Sequence, residues 1–185
     1  MSMLKRPVCI VTTAVISLWS ACIFAQQAPA LGQPATPAQI AALDISIPPD
    51  GSGLPAGAGT ARAGAAVYAA KCQACHGQDG VGKPNDRLVG GEGTLTSARP
   101  VKTIGSYWPY ATTLFDYIRR AMPFTQPQSL SSDETYALTA YLLYINGIIG
   151  EGDEMNARTL PQVVMPNRNN FISAWPSPSA KQGKR

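Results

Sequence analysis

Cys72-Gln73-Ala74-Cys75-His76 is the stretch that decides how this chain is read. The pattern C-x-x-C-H is the attachment site of a c-type haem. Two thiols two residues apart, on one helical turn, reach the two vinyl groups of a porphyrin and form thioethers. The imidazole that follows the second thiol then lies beneath the iron as its proximal ligand. His76 is the only histidine of 185 residues, and it stands at the one position this chemistry requires.

Other uses of the same residues fail on ligand supply and context. A structural zinc site takes four nitrogen or sulfur ligands. Beyond Cys72, Cys75 and His76 the chain offers only Cys9 and Cys22, both in an N-terminal segment expected to be removed. A redox dithiol of thioredoxin type expects a βαβ context, whereas the residues around Cys72 carry a helical pattern.

Residues 1–25 resemble a secretory signal peptide. Lys5 and Arg6 give a positive start, an apolar run extends from Val8 to Phe24, and Ala25 offers a small residue at the cut. Thr12, Thr13, Ser17 and Ser20 interrupt that run, while a spanning helix needs about 20 apolar residues. A periplasmic protein with no transmembrane helix after cleavage is therefore expected. The mature chain would keep only Cys72 and Cys75, which leaves no structural disulfide apart from one that would compete with haem attachment.

Charge does not point to nucleic acid. The formal +4 includes Lys5 and Arg6, and Lys and Arg are otherwise scattered, with Lys181, Lys184 and Arg185 forming a short basic end. Residues 26–59 are rich in Pro, Ala and Gly and read as a linker or extended segment without helix or regular strand. Residues 60–149 read as the globular domain and 150–185 as an irregular extension. A domain of that size has little core of its own, so a buried prosthetic group is expected to supply much of the apolar interior.

The fold class is mainly α, with three helices placed. The first runs from about Thr60, a plausible N-cap, to Cys75. The second covers about Thr112 to Ala121, with Leu114, Phe115 and Ile118 on one face; Arg119 and Arg120 complement its C-terminal dipole and Pro123 stops it. The third opens with Ser131-Ser132-Asp133-Glu134, a capping box, and ends near Gly147. The glycine-rich loop between the first two helices is long enough to require a function, and wrapping a porphyrin edge would be one.

With no second histidine, the sixth iron position falls to methionine, to water, or to nothing. Met122, just after the second helix and before Pro123, is the first candidate, since the chain would cross the haem there and Pro123 stiffens the ligand loop. Met165, followed by Pro166, is the alternative. Met155 lies among Glu151, Asp153 and Glu154, in a stretch expected to be exposed. Tyr107, Trp108 and Tyr110 have amphipathic rings suited to wall a haem edge, and Arg119 or Arg120 could pair with a propionate.

Taken together these features resemble a class I cytochrome c: C-x-x-C-H at the end of a first helix, Met-Pro after a middle helix, and a capped last helix. A narrower resemblance spans about Ile47 to Phe171. It is carried by Pro49-Asp50-Gly51, Gly53-Leu54-Pro55, Leu88-Val89-Gly90-Gly91, Gly93-Thr94-Leu95, the run Lys102 to Pro123, and Met165-Pro166-Asn167-Arg168. These are similar to the cytochrome subunit of sulfane dehydrogenase (SoxD) and to cytochromes that accompany sulfite-dehydrogenase-like molybdenum enzymes. The resemblance implies a class I cytochrome c fold around one covalently attached haem c. It also implies a molybdopterin dehydrogenase subunit as electron donor, and a downstream acceptor. The best-known members carry two cytochrome modules, whereas this chain has one C-x-x-C-H. An electron carrier for another dehydrogenase or oxidase, and a haem enzyme with an open distal site, stand as alternatives.

Overall fold

A computed structural model describes residues 32–172 and residue 174. The expected signal peptide and the basic end at Lys181, Lys184 and Arg185 lie outside the described residues. The chain divides into two compact units, Met1–Leu43 and Asp44–Arg185.

In the first unit, a short helix α1 (Pro37–Leu43) occupies part of the stretch expected to lack helix. Its start is a local capping arrangement. The Thr36 hydroxyl accepts from the Gln39 amide at 3.3 Å, and the Gln39 side chain accepts from the Thr36 amide at 2.9 Å. Proline at the first helical position costs nothing there, because its missing N–H would have had no partner. Composition alone hid this signal.

The second unit begins sixteen residues before Thr60, at Asp44, and the stretch from Ile45 to Ala58 is fixed to it by side chains of later helices. The amide of Ile47 donates to Asp116 Oδ1 at 2.8 Å. The Thr112 hydroxyl donates to the Pro49 carbonyl at 3.0 Å, and the Tyr136 hydroxyl to the Pro55 carbonyl at 2.9 Å. The Ala58 amide donates to Asp133 Oδ1 at 2.8 Å. The stretch ends in a short strand β1 (Ala58–Thr60), also absent from the expectation.

The helices follow. α2 (Ala61–Lys71) starts at Thr60, whose side chain accepts from the Ala63 amide. The expected single helix through Cys75 is instead broken at Cys72, and a further turn α3 (Gln73–His76) follows it. α4 (Ala111–Ala121) buries Leu114, Phe115 and Ile118. It stops where Met122 turns extended, as a residue before proline is driven to do. α5 (Ser132–Ile145) has the capping box complete, with Ser131 accepting from the Glu134 amide and Glu134 from the Ser131 amide. Its end is a Schellman motif: Gly147 at φ +67 donates to Tyr144, and Ile148 to Leu143.

α5 is the centre of the unit, with every residue from Thr135 to Leu143 buried. A helix apolar on all sides needs neighbours on all sides; α2, α4, β1 and a second strand β2 (Glu154–Asn156) provide them. β2 pairs antiparallel with β1, Gly59 opposite Met155. The helices α2 and α5 touch through Gly64: a Cβ there would overlap the Ala137 carbonyl and lie 2.7 Å from the Tyr141 Cβ. Phe115 and Tyr136 stack at 4.5 Å between ring centres. Each such side chain contributes about 1.5–3 kcal/mol on full burial.

Residues after Ile149 belong to this core as well. Leu160 is fully buried, and Met155, expected to be exposed, is 4 % exposed and part of the hydrophobic cluster. The charged residues around Met155 misled because a strand alternates its faces; Glu154 points out and Met155 in. Among the described residues, no helix is long and apolar enough to cross a membrane.

Candidate cofactor-attachment site

The motif sits where two short helices meet. The amides of Cys75 and His76 both donate to the Cys72 carbonyl, at 3.1 and 3.0 Å, so the pentapeptide is one tight turn. Cys72 is half-buried and packs against the hydrophobic cluster, while Cys75 is exposed; both are free thiols. Burial pushes the Cys72 thiol up to about 11, with Lys71 lowering and Cys75 raising it by smaller amounts.

His76 has a defined orientation. Its Nδ1 lies 2.9 Å from the carbonyl oxygen of Asp86. A carbonyl only accepts, so Nδ1 carries the proton and the lone pair of the neutral ring is left on Nε2. That is the tautomer a metal-ligating imidazole needs, and such a second-sphere acceptor raises its basicity. The donor set of Cys72, Cys75 and His76 therefore fits a covalently held haem.

The segment after His76 returns beneath it. Gly82 donates to the His76 carbonyl at 2.8 Å, and Asn85 to the Cys75 carbonyl at 2.9 Å. Two phenols hold its start. Tyr68, one turn before Cys72, donates to the Gly77 carbonyl at 2.8 Å, and Tyr141 of α5 donates to Asp79 Oδ1 at 3.0 Å. Their rings pack at 5.1 Å. Burial above all pushes both hydroxyls up to about 12, so they remain donors throughout the physiological range. Sequence reading gave Tyr68, Tyr141 and Asp86 no part in the site. Tyr68 at four residues before Cys72 had a detectable helical spacing; the Asp86 carbonyl had no signal in its side chain.

The remaining expected residues each have their own neighbours. Met122 is half-buried at the end of α4 and packs on the hydrophobic cluster, whereas Met165 is 1 % exposed within that cluster. Trp108 packs edge-on to Tyr117 of α4 at 5.8 Å. Tyr107 packs on Phe171 at 5.4 Å, with the Lys102 ammonium 4.9 Å from its ring centre. Tyr110 lies under the Arg168 guanidinium at 5.3 Å. Arg120 pairs with Asp116 one turn back, and Arg119 donates to the Ile45 carbonyl at 3.4 Å.

The glycine-rich loop is ordered by its own polar groups. Thr103 donates to the Gly90 carbonyl and Ser106 to the Val101 carbonyl, at 2.6 and 2.7 Å. Asn146, the C-cap of α5, accepts from Gly105 and donates to Leu88, which ties the loop to the last helix.

Comparison with known proteins bears on the family of the chain. Residues 59–142 match the family model for cytochrome c oxidase, cbb3-type, subunit III. No curated protein matches the chain significantly. A chain of the crystal structure of the sulfane dehydrogenase SoxCD from Paracoccus pantotrophus is similar at 43% sequence identity and a TM-score of 0.73. The match covers 84% of this chain and 76% of that one.

Proposed function

This chain belongs to the c-type cytochromes, in the family of the sulfane dehydrogenase cytochrome subunit, and we propose that it carries single electrons through one haem c. The observation that carries the reading is the sole histidine, held by Asp86 in the ligating tautomer on the same turn as two free thiols. Bound haem c supplies a one-electron couple between ferric and ferrous iron.

The chain's residues have separate tasks. Cys72 and Cys75 would hold the porphyrin through their sulfurs, and His76 would bind the iron through Nε2. Met122 is the methionine that would hold the iron opposite the histidine: it stands half-buried at a helix end, while Met165 is already spent on packing the core. A soft thioether favours the reduced iron. Trp108, braced by Tyr117, and Tyr107, braced by Phe171, are rigid apolar walls for the pocket. Arg120 is oriented by Asp116 and retains further N–H donors for a propionate.

The likeness to the sulfane dehydrogenase supports a place as the electron-accepting subunit of a molybdenum-dependent dehydrogenase of sulfur compounds, working in the periplasm after removal of residues 1–25. From there electrons pass to a downstream acceptor protein. The exposed Cys75 marks the face for docking, over the small contact area usual for electron-transfer pairs. The test is to mix the oxidised cytochrome with the molybdenum subunit and a sulfane or sulfite substrate. Reduction of the haem is expected only when all three are present; a haem that stays oxidised contradicts the assignment.

A further inference from the structure

The loop from Gly77 to Gly82 is conformationally expensive. Gly77, Asp79, Gly80 and Gly82 all have positive φ, at +76, +51, +76 and +94. Asp79 is the only one of the four with a Cβ; its short polar side chain can occupy the left-handed region when it is hydrogen-bonded there. Glycines bring no side chains to pack, so the loop is not held by an apolar core of its own. This loop leads into Asp86, which supplies the acceptor for His76 Nδ1, and it shares the holding of that segment with backbone bonds from Asn85 to the Cys75 carbonyl and from Leu88 to the Gly80 carbonyl.

Two buried phenols from different helices fix it. Tyr68 is 1 % exposed and Tyr141 is 8 % exposed. Tyr68 holds Gly77, the residue after His76, and Tyr141 holds the side chain of Asp79. We infer that the Tyr68 and Tyr141 hydroxyls are positioning groups for the iron-binding imidazole: by anchoring Gly77 and Asp79 they keep the Asp86 carbonyl on His76 Nδ1 and so tune the reduction potential. The inference rests on His76 as proximal ligand. A strong bond at Nδ1 makes the ring a better donor, which favours ferric iron; loosening the loop therefore raises the potential.

Tyr136 provides the internal control. Its hydroxyl also donates to a backbone carbonyl at 2.9 Å from a buried ring of α5, but its partner is Pro55, outside the His76 loop. The experiment is a spectroelectrochemical titration of the full-length, haem-loaded Tyr68→Phe, Tyr141→Phe and Tyr136→Phe proteins, with the His76 Nδ1–H resonance followed by NMR in the ferrous state. Tyr68→Phe and Tyr141→Phe are expected to raise the potential and move the Nδ1–H resonance upfield, while Tyr136→Phe loses stability without either change. Wild-type values in both loop variants, or an equal shift in Tyr136→Phe, overturn the inference. If Tyr68→Phe fails to fold, Tyr141→Phe decides alone. A wild-type chain that carries no haem overturns the attachment reading itself, and this inference with it.

Discussion

His76 Nδ1 and the backbone oxygen of Asp86 lie 2.9 Å apart, so the group that orients the imidazole is a carbonyl and not a carboxylate. Asp86→Ala should accordingly keep the bond. Its visible spectrum and reduction potential are expected to match the wild type. A large change in potential on this substitution would mean that the side chain, not the backbone, faces the ring.

Met122 and Met165 separate by opposite responses. Met122→Ala should convert the haem to high spin and abolish the weak methionine–iron band in the far red, with modest loss of stability. Met165→Ala should keep that band and lose about 2–5 kcal/mol, because it opens a cavity in the core. Absorption spectra and denaturant midpoints of the two variants check both statements, and exchanged outcomes would reassign the ligand.

Gly64 is a second decisive contact. In an isolated helix, Gly→Ala gains about 1 kcal/mol. Here the added methyl meets the Ala137 carbonyl, which cannot move without displacing α5, and overpacking of this kind costs about 1–3 kcal/mol. Gly64→Ala is expected to lower the denaturant midpoint. A raised midpoint would show that α2 and α5 do not approach as closely as described.

Glu134 links the capping box to the helix that leads into the motif. Its Oε1 accepts from the Lys71 ammonium at 2.8 Å and its Oε2 from the Ser131 amide at 2.9 Å. The Lys71 bond first, then the Ser131 amide, hold its carboxyl below the usual carboxylate range. A depressed folded-state value means the contribution is present above the unfolded value of about 4.3 and is lost as pH falls through the folded one. Ser131→Ala should cost about 1 kcal/mol at neutral pH. The stability gap between wild type and Glu134→Gln should narrow in acid below about pH 4; a gap unchanged there would contradict the ion-pair assignment.

What the sequence made legible is local chemistry. C-x-x-C-H, the Ser131–Glu134 box, the proline after Met122 and the Leu114, Phe115, Ile118 face are short-range signals; the box, the helix stop and the apolar face are found in place, and the motif lies on one tight turn. The resemblance to a class I cytochrome c extended them to a fold. Contacts made across long separations were not legible: Ile47 with Asp116, Pro55 with Tyr136, Tyr141 with Asp79. Composition also misled where it was averaged. The Pro/Ala/Gly-rich stretch holds α1 and β1, because Thr36 and Gln39 cap the one and pairing with β2 makes the other. Met155 is buried among charged neighbours because strand alternation, not local polarity, sets its direction.

The attachment itself is tested most directly by intact-mass measurement and pyridine haemochrome absorbance of the purified exported protein, made alongside a working haem-ligation apparatus. The account predicts one haem per chain that survives denaturation and acid extraction, and that is lost from the Cys72→Ala, Cys75→Ala double variant. A colourless wild-type protein, or haem that extracts freely from it, would contradict the account.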